Sequence, residues 1–339
     1  MANMNPADNL IVLDALPQGM LEASADRLHE YLDGPTLIHL PGRRSPPLFV
    51  SVLLHGNENT GWDAARMLLQ RHAGHPLPRA LSLFVGNVQA ARFGLRCLDG
   101  QPDFNRIWCG DGTPEHRIMR EVLETMRHIG PFASIDVHNN TGRNPHYACV
   151  NQLHAANLNL AALFARTAVY FTTPDTVQSR AFSAFCPAVT LECGQPGTTT
   201  GLEHALEFLD ACLHLAEFPE HPVHKGDIEL FHTVATVKVP GGVSLGFAGE
   251  DTDLVFVDDL DFMNFRELPA GTVIARAHPE FSGGLEVIDE EGNDVGEDYF
   301  MRRDDEVVTC RPFIPSMLTL DTRVIRQDCL CYVMEPYQL

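Results

Sequence analysis

The chain has 339 residues, of which 45% are hydrophobic and 20% charged, so it can build a sizeable core in about two domains, and wholesale disorder is excluded. Its formal net charge of −21 makes a nucleic-acid backbone or an anionic membrane surface a poor partner. Residues 1–10 lack the basic and apolar segments of a signal peptide, and no apolar run reaches the ~18 residues that a bilayer span needs.

The cysteines favour a cytoplasmic protein with reduced thiols. There are nine of them, an odd number, and none forms a Cys-x-x-Cys pair, which argues against a disulfide scaffold and against a zinc finger. We therefore expect mostly buried thiols in a reducing cytoplasm. Cys329 and Cys331 have the spacing that puts two side chains on one face of a strand, and we expect both to face the core.

Strand and helix patterns alternate in the first two thirds of the chain. The strands are short apolar runs, and the helices carry apolar residues every three to four positions. A helix start is predicted at Thr113–Pro114, because Thr is a good N-cap and Pro suits the first turn. The predicted strands are 48–54, 80–85, 132–137 and 187–191, and the predicted helices are 61–71, 114–129 and 202–213. This alternation predicts an α/β domain with helices on both faces of a sheet.

The remainder of the chain has the pattern of a separate, all-β domain. Fourteen of the 16 histidines precede residue 225, whereas residues 226–339 carry 23 acidic and 8 basic residues. We therefore predict one domain over residues 1–225 and a second over residues 226–339. Glycine-containing turns separate the short strand candidates of the second domain, which are 233–239, 253–257, 272–277, 285–288, 307–310 and 329–334.

The sharpest local feature is the segment Leu54-His55-Gly56-Asn57-Glu58. A buried-strand pattern ends at His55, a glycine turn follows, and a helix begins near Glu58. Open α/β sheets bind ligands where strands end and helices begin, and an imidazole with a carboxylate suits zinc. For this pair alone, a helix-capping glutamate beside a hydrogen-bonded histidine remains an open alternative.

A second apolar strand also ends in a histidine, His138, and polar turn residues follow it. An ordinary loop histidine is a common alternative, but two separate strands that each end in histidine are less common. Together His55, Glu58 and His138 would form a His₂Glu set with a fourth position left for water, which is typical of catalytic zinc.

Glu192 lies at the end of another apolar strand, where a carboxylate is costly to bury without a role. The functional interpretation is a general base that deprotonates a water and then protonates the leaving amine. The alternative is an acid that stabilises the start of the following helix.

Arginines lie in the Gly- and Pro-bearing stretch around Asp103-Phe-Asn105-Arg106, and Arg96 precedes it. The guanidinium group suits bidentate binding of a carboxylate. Taken singly, each of these arginines could equally be a solvated loop residue.

Together the four motifs resemble the aspartoacylase/succinylglutamate desuccinylase family, within the wider zinc carboxypeptidase-like clan. His55-Gly-Asn-Glu58, Asp103-Phe-Asn-Arg106, Asp136-Val-His-Asn139 and Leu191-Glu-Cys-Gly194 occur in the order seen in that family. The resemblance covers most of the chain, because members carry a C-terminal β domain after the catalytic one. It implies a mixed-sheet, three-layer catalytic domain of zinc carboxypeptidase-like fold over residues 1–225 and a smaller all-β domain over residues 226–339.

The resemblance also implies a zinc site. By this likeness His55, Glu58 and His138 are the ligands of one zinc ion per chain, and Glu192 is the catalytic base and acid. Asp103 is similar to the aspartate that orients a zinc-bound histidine through its other ring nitrogen.

Substrate contacts follow from the same likeness. Arg96 resembles the arginine that polarises the scissile carbonyl and stabilises the oxyanion. Asn105 and Arg106 look like the pair that holds the substrate carboxylate, and Arg180 resembles an additional carboxylate-binding arginine of aspartoacylases. Tyr299 could be an active-site tyrosine from the β domain, but no motif places it there, and a core tyrosine on a strand is the favoured interpretation.

These features predict a zinc-dependent amidohydrolase, a deacylase acting on an N-acyl amino acid or a similar small carboxylate-bearing amide. The acyl group, the amino acid and the choice of zinc over another divalent metal stay open. The main alternative is a zinc metallocarboxypeptidase acting on peptides, and the alternative from another class is a non-catalytic binding protein. We expect a small-molecule substrate and no nucleic-acid or membrane partner, and we leave a homo-oligomer open.

Overall fold

The computed structural model describes residues 9–339 except 220 and 225, and the chain divides into two compact units. The first unit is the described part of Met1–Asn139 together with His146–Glu229. The second unit is Asn140–Pro145 together with Leu230–Leu339. The domain boundary predicted at residue 225 falls outside the described residues and stays a prediction.

The first unit is built on a mixed sheet. Its strands are β1 (Ile11–Leu13), β2 (Thr36–Leu40), β3 (Leu48–Val52), β4 (Leu81–Val85), β5 (Ala133–His138), β6 (Tyr147–Val150), β7 (Thr167–Tyr170) and β8 (Ala188–Glu192). Their spatial order is β1-β2-β4-β3-β5-β8-β6-β7. The central strands β4, β3, β5 and β8 run parallel, whereas β2 and β6 are antiparallel to their neighbours β4 and β8. The predicted mixed α/β fold is confirmed.

Helices cover both faces of this sheet. They are α1 (Thr60–Arg71), α2 (Val88–Ala91), α3 (Pro114–Ile129), α4 (Ala155–Phe164), α5 (Gln178–Phe182) and α6 (Thr199–His214), with short 3₁₀ turns at Met20–Glu22 and Ala25–Glu30. Phe49 of β3 packs in a cluster with α3 and α5. Val52 of the same strand lies against Gly61 of α1. Because side chains alternate along a strand, these contacts place α3 and α1 on opposite faces.

Helix α3 illustrates how local sequence sets an element. The Thr113 hydroxyl accepts a hydrogen bond from the His116 N–H, and Pro114 occupies the first turn, as predicted. The helix ends at Gly130, which adopts φ 68°. Its buried face consists of Ile118, Met119, Val122 and Met126, whereas its last residue, Ile129, is exposed.

The second unit is mostly β structure in two sheets. Its strands are β9 (Glu229–Lys238), β10 (Leu245–Gly246), β11 (Leu254–Phe256), β12 (Val273–Ala277), β13 (Glu286–Asp289), β14 (Phe300–Arg303), β15 (Glu306–Thr309), β16 (Ile314–Ser316) and β17 (Cys331–Tyr337). One sheet has the order β13-β9-β17-β16 and the other β10-β11-β12-β15-β14. All six predicted strands are present. Two short α-helices, α7 (Gly296–Tyr299) and α8 (Thr322–Gln327), and a 3₁₀ turn at Leu260–Met263 interrupt the all-β pattern.

The loop Asn140–Pro145 belongs to the second unit although it directly follows β5. The Thr141 hydroxyl donates to the Thr319 hydroxyl, and Asn144 Oδ1 accepts the Met317 N–H. Gly142 approaches the Leu318 carbonyl so closely that a Cβ would collide with it. The chain therefore leaves the first unit immediately after the strand that carries His138.

The thiols follow the prediction from composition. All nine cysteines are free, and six of them are buried, including Cys329 and Cys331. Among the described residues, none of the helices is both long enough and apolar enough to cross a membrane.

Candidate metal centre and active site

Three neighbouring strands bring the predicted site residues to one edge of the sheet. β3, β5 and β8 are adjacent and parallel. His55 follows β3, His138 is the last residue of β5, and Glu192 is the last residue of β8. His138 and Glu192 are direct partners in the β5–β8 register. The carboxyl ends of parallel strands therefore place an imidazole beside a carboxylate, as the sequence predicted.

His55, Glu58 and His138 form a buried cluster with converging ligand atoms. His55 Nδ1 lies 2.8 Å from Glu58 Oε1, and His138 Nδ1 lies 2.7 Å from Glu58 Oε2. One ligand atom from each residue lies within 4.8 Å of the others. The three residues are 3%, 6% and 3% exposed. In the part of the chain that the structure describes, this is the one group of three or more His, Cys, Asp or Glu side chains with such geometry.

The turn that presents His55 and Glu58 depends on a close backbone approach. A Cβ at Gly56 would collide with the backbone of Ala90 and Ala91 and with the Leu95 carbonyl. The Gly56 N–H donates to the Arg96 carbonyl at 3.1 Å. Glycine is thus required between the two candidate ligands because any side chain would push the turn out of the site.

Carboxylates hold the outer nitrogens of both histidines. Asp103 Oδ1 lies 2.9 Å from His55 Nε2, and Asp136 Oδ2 lies 2.8 Å from His138 Nε2. The Ser51 hydroxyl donates to Asp136 Oδ1 at 2.7 Å. This arrangement orients each imidazole so that Nδ1 faces Glu58. The sequence prediction included Asp103 but missed Asp136, although its position two residues before His138 on a strand places both side chains on one face.

The electrostatics of the cluster favour positive charge at its centre. Burial would raise the pKa of the Glu58 carboxyl, but His55 and His138 outweigh it and hold that pKa below its ordinary value. Burial would likewise lower the pKa of His138, yet Asp136 and Glu58 raise it well above the usual range. Two imidazole nitrogens and a carboxylate, buried, converging and backed by further carboxylates, are a donor set that fits a divalent metal ion such as zinc.

Arg96 lies at the edge of this cluster in an ion pair. Its Nε and Nη2 both donate to Asp103 Oδ2, at 3.0 and 2.8 Å, and its Nη1 lies 3.9 Å from Glu58 Oε1. Burial opposes ionisation of Asp103, but His55 and Arg96 keep its pKa well below the ordinary value. Asp103 therefore links Arg96 to His55.

Asn105 and Arg106 follow directly in the chain, and the Asn105 amide is engaged with the protein. Asn105 Oδ1 accepts the Gln178 N–H at 3.0 Å, and its Nδ2 lies 3.2 Å from His138 Nε2. The half-buried Arg106 donates from Nη1 to the Asn105 carbonyl at 3.0 Å. The structure thus brings Asn105 against a candidate metal ligand and puts Arg106 next to it.

Glu192 is buried, and its neighbour Cys193 extends the strand pairing, since the Cys193 N–H donates to the His138 carbonyl at 2.9 Å. Burial raises the pKa of the Cys193 thiol well above its usual range, and the negative charges of Glu192 and Glu58 raise it further. The register pairing with His138 puts the Glu192 side chain on the same face of the sheet as the His138 imidazole.

The two remaining residues singled out from the sequence are Arg180 and Tyr299. Arg180 is half-buried on α5. Burial raises the pKa of the Cys109 thiol, Asp175 raises it further, and the positive charge of Arg180 partly offsets both effects. Within the described residues no hydrogen bond joins Arg180 to the three candidate ligands. Tyr299 packs against Phe313 in the core of the second unit, as predicted, but it ends α7 rather than lying on a strand.

Comparison with known proteins identifies the fold. No family model matches this sequence, and no curated protein matches it. The succinylglutamate desuccinylase from Chromobacterium violaceum has a TM-score of 0.56 at 18% identity over 88% of this chain and 86% of its own. A succinylglutamate desuccinylase/aspartoacylase from Rhodobacter sphaeroides has a TM-score of 0.58 at 15% identity over 88% of both chains.

Murine aminoacylase 3 shares the fold as well. Its TM-score is 0.55 at 16% identity, over 87% of this chain and 97% of its own. The family resemblance stated from the motifs is thus confirmed in the fold.

Proposed function

We propose that this chain is a zinc-dependent amidohydrolase of the aspartoacylase/succinylglutamate desuccinylase type. Its substrate would be an N-acyl amino acid or a similar small amide that carries a carboxylate. The observation that carries the proposal is the buried convergence of His55, Glu58 and His138 at the strand edge where Glu192 also ends. The names of the solved structures that share the fold, which are those of deacylases, support it.

One zinc ion per chain would be held by His55 Nδ1, His138 Nδ1 and the Glu58 carboxylate. When bound, the metal would polarise a carbonyl oxygen and lower the pKa of a water molecule. Asp103 and Asp136 would keep each imidazole in the tautomer that leaves Nδ1 available as a ligand.

Glu192 would move the protons of the reaction. As a carboxylate it would accept a proton from the attacking water, and as an acid it would return that proton to the leaving amine nitrogen. Its position supports this role, since it is the register partner of His138 and is buried, which makes water a weaker competitor for the carboxylate.

The arginines would bind the charges of the substrate. Arg96, whose Nη1 approaches Glu58, would stabilise the oxygen of the scissile carbonyl as negative charge develops. Asn105 and Arg106 would hold the substrate carboxylate, with Arg180 as an additional contact.

Hydrolysis by the metal-loaded protein tests the proposal. A panel of N-acetyl, N-succinyl and N-formyl amino acids is incubated with the protein, and release of the free amino acid is measured. We expect release from at least one member, loss of release after chelation, and recovery when metal returns. Removal of C-terminal residues from peptides, without hydrolysis of the panel, would instead establish a carboxypeptidase. A metal-loaded protein that hydrolyses neither class would contradict an enzymatic function of this kind.

A further inference from the structure

Asn139, which follows the candidate ligand His138, makes three hydrogen bonds that reach two segments of the site, the turn at residues 58–60 and the turn at Gly194. Its backbone N–H donates to Glu58 Oε2 at 3.1 Å. Its side-chain Oδ1 accepts the Thr60 N–H at 3.2 Å, and its Nδ2 donates to the Gly194 carbonyl at 2.8 Å. The side chain is buried. Because one partner is a backbone N–H and the other is a backbone carbonyl, the amide has one possible orientation, with its oxygen toward Thr60 and its nitrogen toward Gly194.

Through its contact with Thr60, Asn139, which follows strand β5, caps the start of helix α1. Thr60 is the first residue of α1, so its N–H has no partner within the helix. The preceding residue, Asn59, makes no side-chain capping bond. Asn139 therefore supplies the cap of α1, which begins two residues after Glu58, and in this way restrains the turn that carries the candidate ligand.

The contact with Gly194 restrains the segment after Glu192. Strand pairing between β5 and β8 ends with the Cys193 N–H bond to the His138 carbonyl. Gly194 then turns the chain with φ 72°. The Asn139 amide binds the carbonyl of this turn and so extends the β5–β8 contact beyond the end of the strands.

We propose that Asn139 is a positioning residue that keeps the Glu192 carboxylate and the Glu58 carboxylate at a fixed separation. It does so by joining the turn after Glu58 to the turn after Glu192. The inference rests on the proposed function, because it presumes that Glu58 holds a metal and that Glu192 transfers protons. Its structural part, the restraint of two turns by one amide, can be measured independently of any reaction.

Two variants separate the two side-chain bonds of Asn139. Asn139→Ala removes both, whereas Asn139→Asp keeps the acceptor for the Thr60 N–H and loses the donor to Gly194. Amide hydrogen exchange of residues 194–198 should become roughly fivefold faster in both variants, as expected for the loss of one hydrogen bond. Exchange at residues 60–63 should become faster only in the alanine variant. If Asn139→Ala does not fold, the aspartate variant carries the test alone.

Asn151 provides the matched control, because it is equally buried and makes a similar pair of bonds. Its Nδ2 donates to the Phe171 carbonyl at 3.1 Å, and its Oδ1 accepts the Ser179 hydroxyl at 2.7 Å. Exchange of residues 194–198 should be unchanged in Asn151→Ala. Wild-type exchange of this segment in Asn139→Asp would overturn the proposal, as would equally fast exchange in Asn151→Ala.

Kinetics on a substrate from the hydrolysis panel then test the catalytic part. Asn139→Asp should retain one metal ion per chain and a KM close to wild type, while kcat falls roughly 10- to 100-fold because the carboxylate is misplaced. A wild-type kcat in this variant would overturn the positioning role. If the protein hydrolyses nothing but the exchange changes appear, the proposed function fails while the restraint of Gly194 by Asn139 is supported.

Discussion

At the scale of single residues, Glu58 connects the groups that the site needs. Its two carboxylate oxygens face the Nδ1 atoms of His55 and His138, and one of them also accepts the Asn139 N–H. Burial of such a carboxylate is unfavourable on its own, and the two imidazoles compensate for it. The chain therefore keeps a negative charge at a buried position, and a bound cation there would interact with it strongly.

Glu192→Gln tests the role of the carboxylate at the end of β8. The amide has the same shape but cannot accept and return a proton, so we expect kcat to fall by at least ~10²-fold with metal content unchanged. Steady-state kinetics and elemental analysis of the purified variant measure both quantities. Turnover at the wild-type rate would leave Glu192 with a structural role at the strand end.

Arg106 and Arg96 should affect different kinetic parameters. Arg106 would contact a substrate carboxylate throughout the reaction, so Arg106→Ala should mainly raise KM, and Arg106→Lys should rescue poorly because a point charge cannot replace the bidentate fork. Arg96 would act on charge that appears only in the transition state, so Arg96→Ala should lower kcat by roughly 10²–10³-fold.

Kinetics of the Arg106 and Arg96 variants on the best panel substrate decide the comparison. Because Arg96 is paired with Asp103, metal content must be measured alongside, so that a lost ligand is not mistaken for a lost oxyanion contact. An unchanged kcat in metal-loaded Arg96→Ala would contradict its assigned role.

At the scale of elements, sequence prediction succeeded where local pattern decides the structure. β3, β5, β8 and α3 lie within a few residues of their predicted bounds, because each has an apolar run or a capped amphipathic pattern. The sequence did not indicate β6 or α4. β6 has only four residues, and α4 is buried on several sides and even buries Asn157, so it shows no clear polar face.

The same distinction holds for the site. His55, His138 and Glu192 were found because parallel strands end at one edge, so position along the chain predicts position in space. Ser51, Asp136 and Asn139 were not found, because their roles depend on which atoms the folded chain brings within hydrogen-bonding distance. Asn105 was predicted as a substrate contact, and its contact with His138 could not have been inferred from its place in a loop.

Asp210 provides a test of how α1 and α6 are joined. It lies 2.9 Å from His72 and 3.2 Å from Arg71, and although burial acts against it, these partners lower its pKa. A lowered folded-state pKa stabilises the protein above the ordinary carboxyl pKa, and this stability is lost as pH falls through the folded value.

Asp210→Asn should therefore lower the free energy of unfolding by about 1 kcal/mol or less near neutral pH, and the difference from wild type should shrink in acid. Denaturant unfolding at several pH values measures it. Glu124→Gln, on the exposed side of α3, is the control and should match wild type throughout. A pH-independent difference for Asp210→Asn would show that shape rather than charge is responsible.

At the scale of the whole molecule, the candidate site residues belong to one unit and most of the net charge belongs to the other. The candidate metal ligands and every predicted site residue lie in the first unit, whereas residues 226–339 carry most of the net negative charge. Such an excess of one charge keeps a protein soluble at the expense of self-repulsion in the compact state. In the first unit, by contrast, the buried side chains of His55, Glu58 and His138 converge, so binding of a cation there should stabilise the folded state.

Metal binding should accordingly raise the melting temperature. A ligand that binds only the folded state at 100 times its Kd contributes about 2.7 kcal/mol, which corresponds to a rise of several degrees. Thermal unfolding of chelated protein, with and without added zinc, measures this shift, and elemental analysis gives the stoichiometry. We expect one ion per chain in the wild type and a rise in melting temperature that grows with zinc concentration.

His138→Ala should lose both effects because it removes a ligand. His39→Ala, which removes a half-buried histidine bonded to Ser82 and not to the cluster, should keep both. Equal metal content and an equal shift in His138→Ala would place the ion elsewhere and remove the basis for a metal-dependent hydrolase at this strand edge.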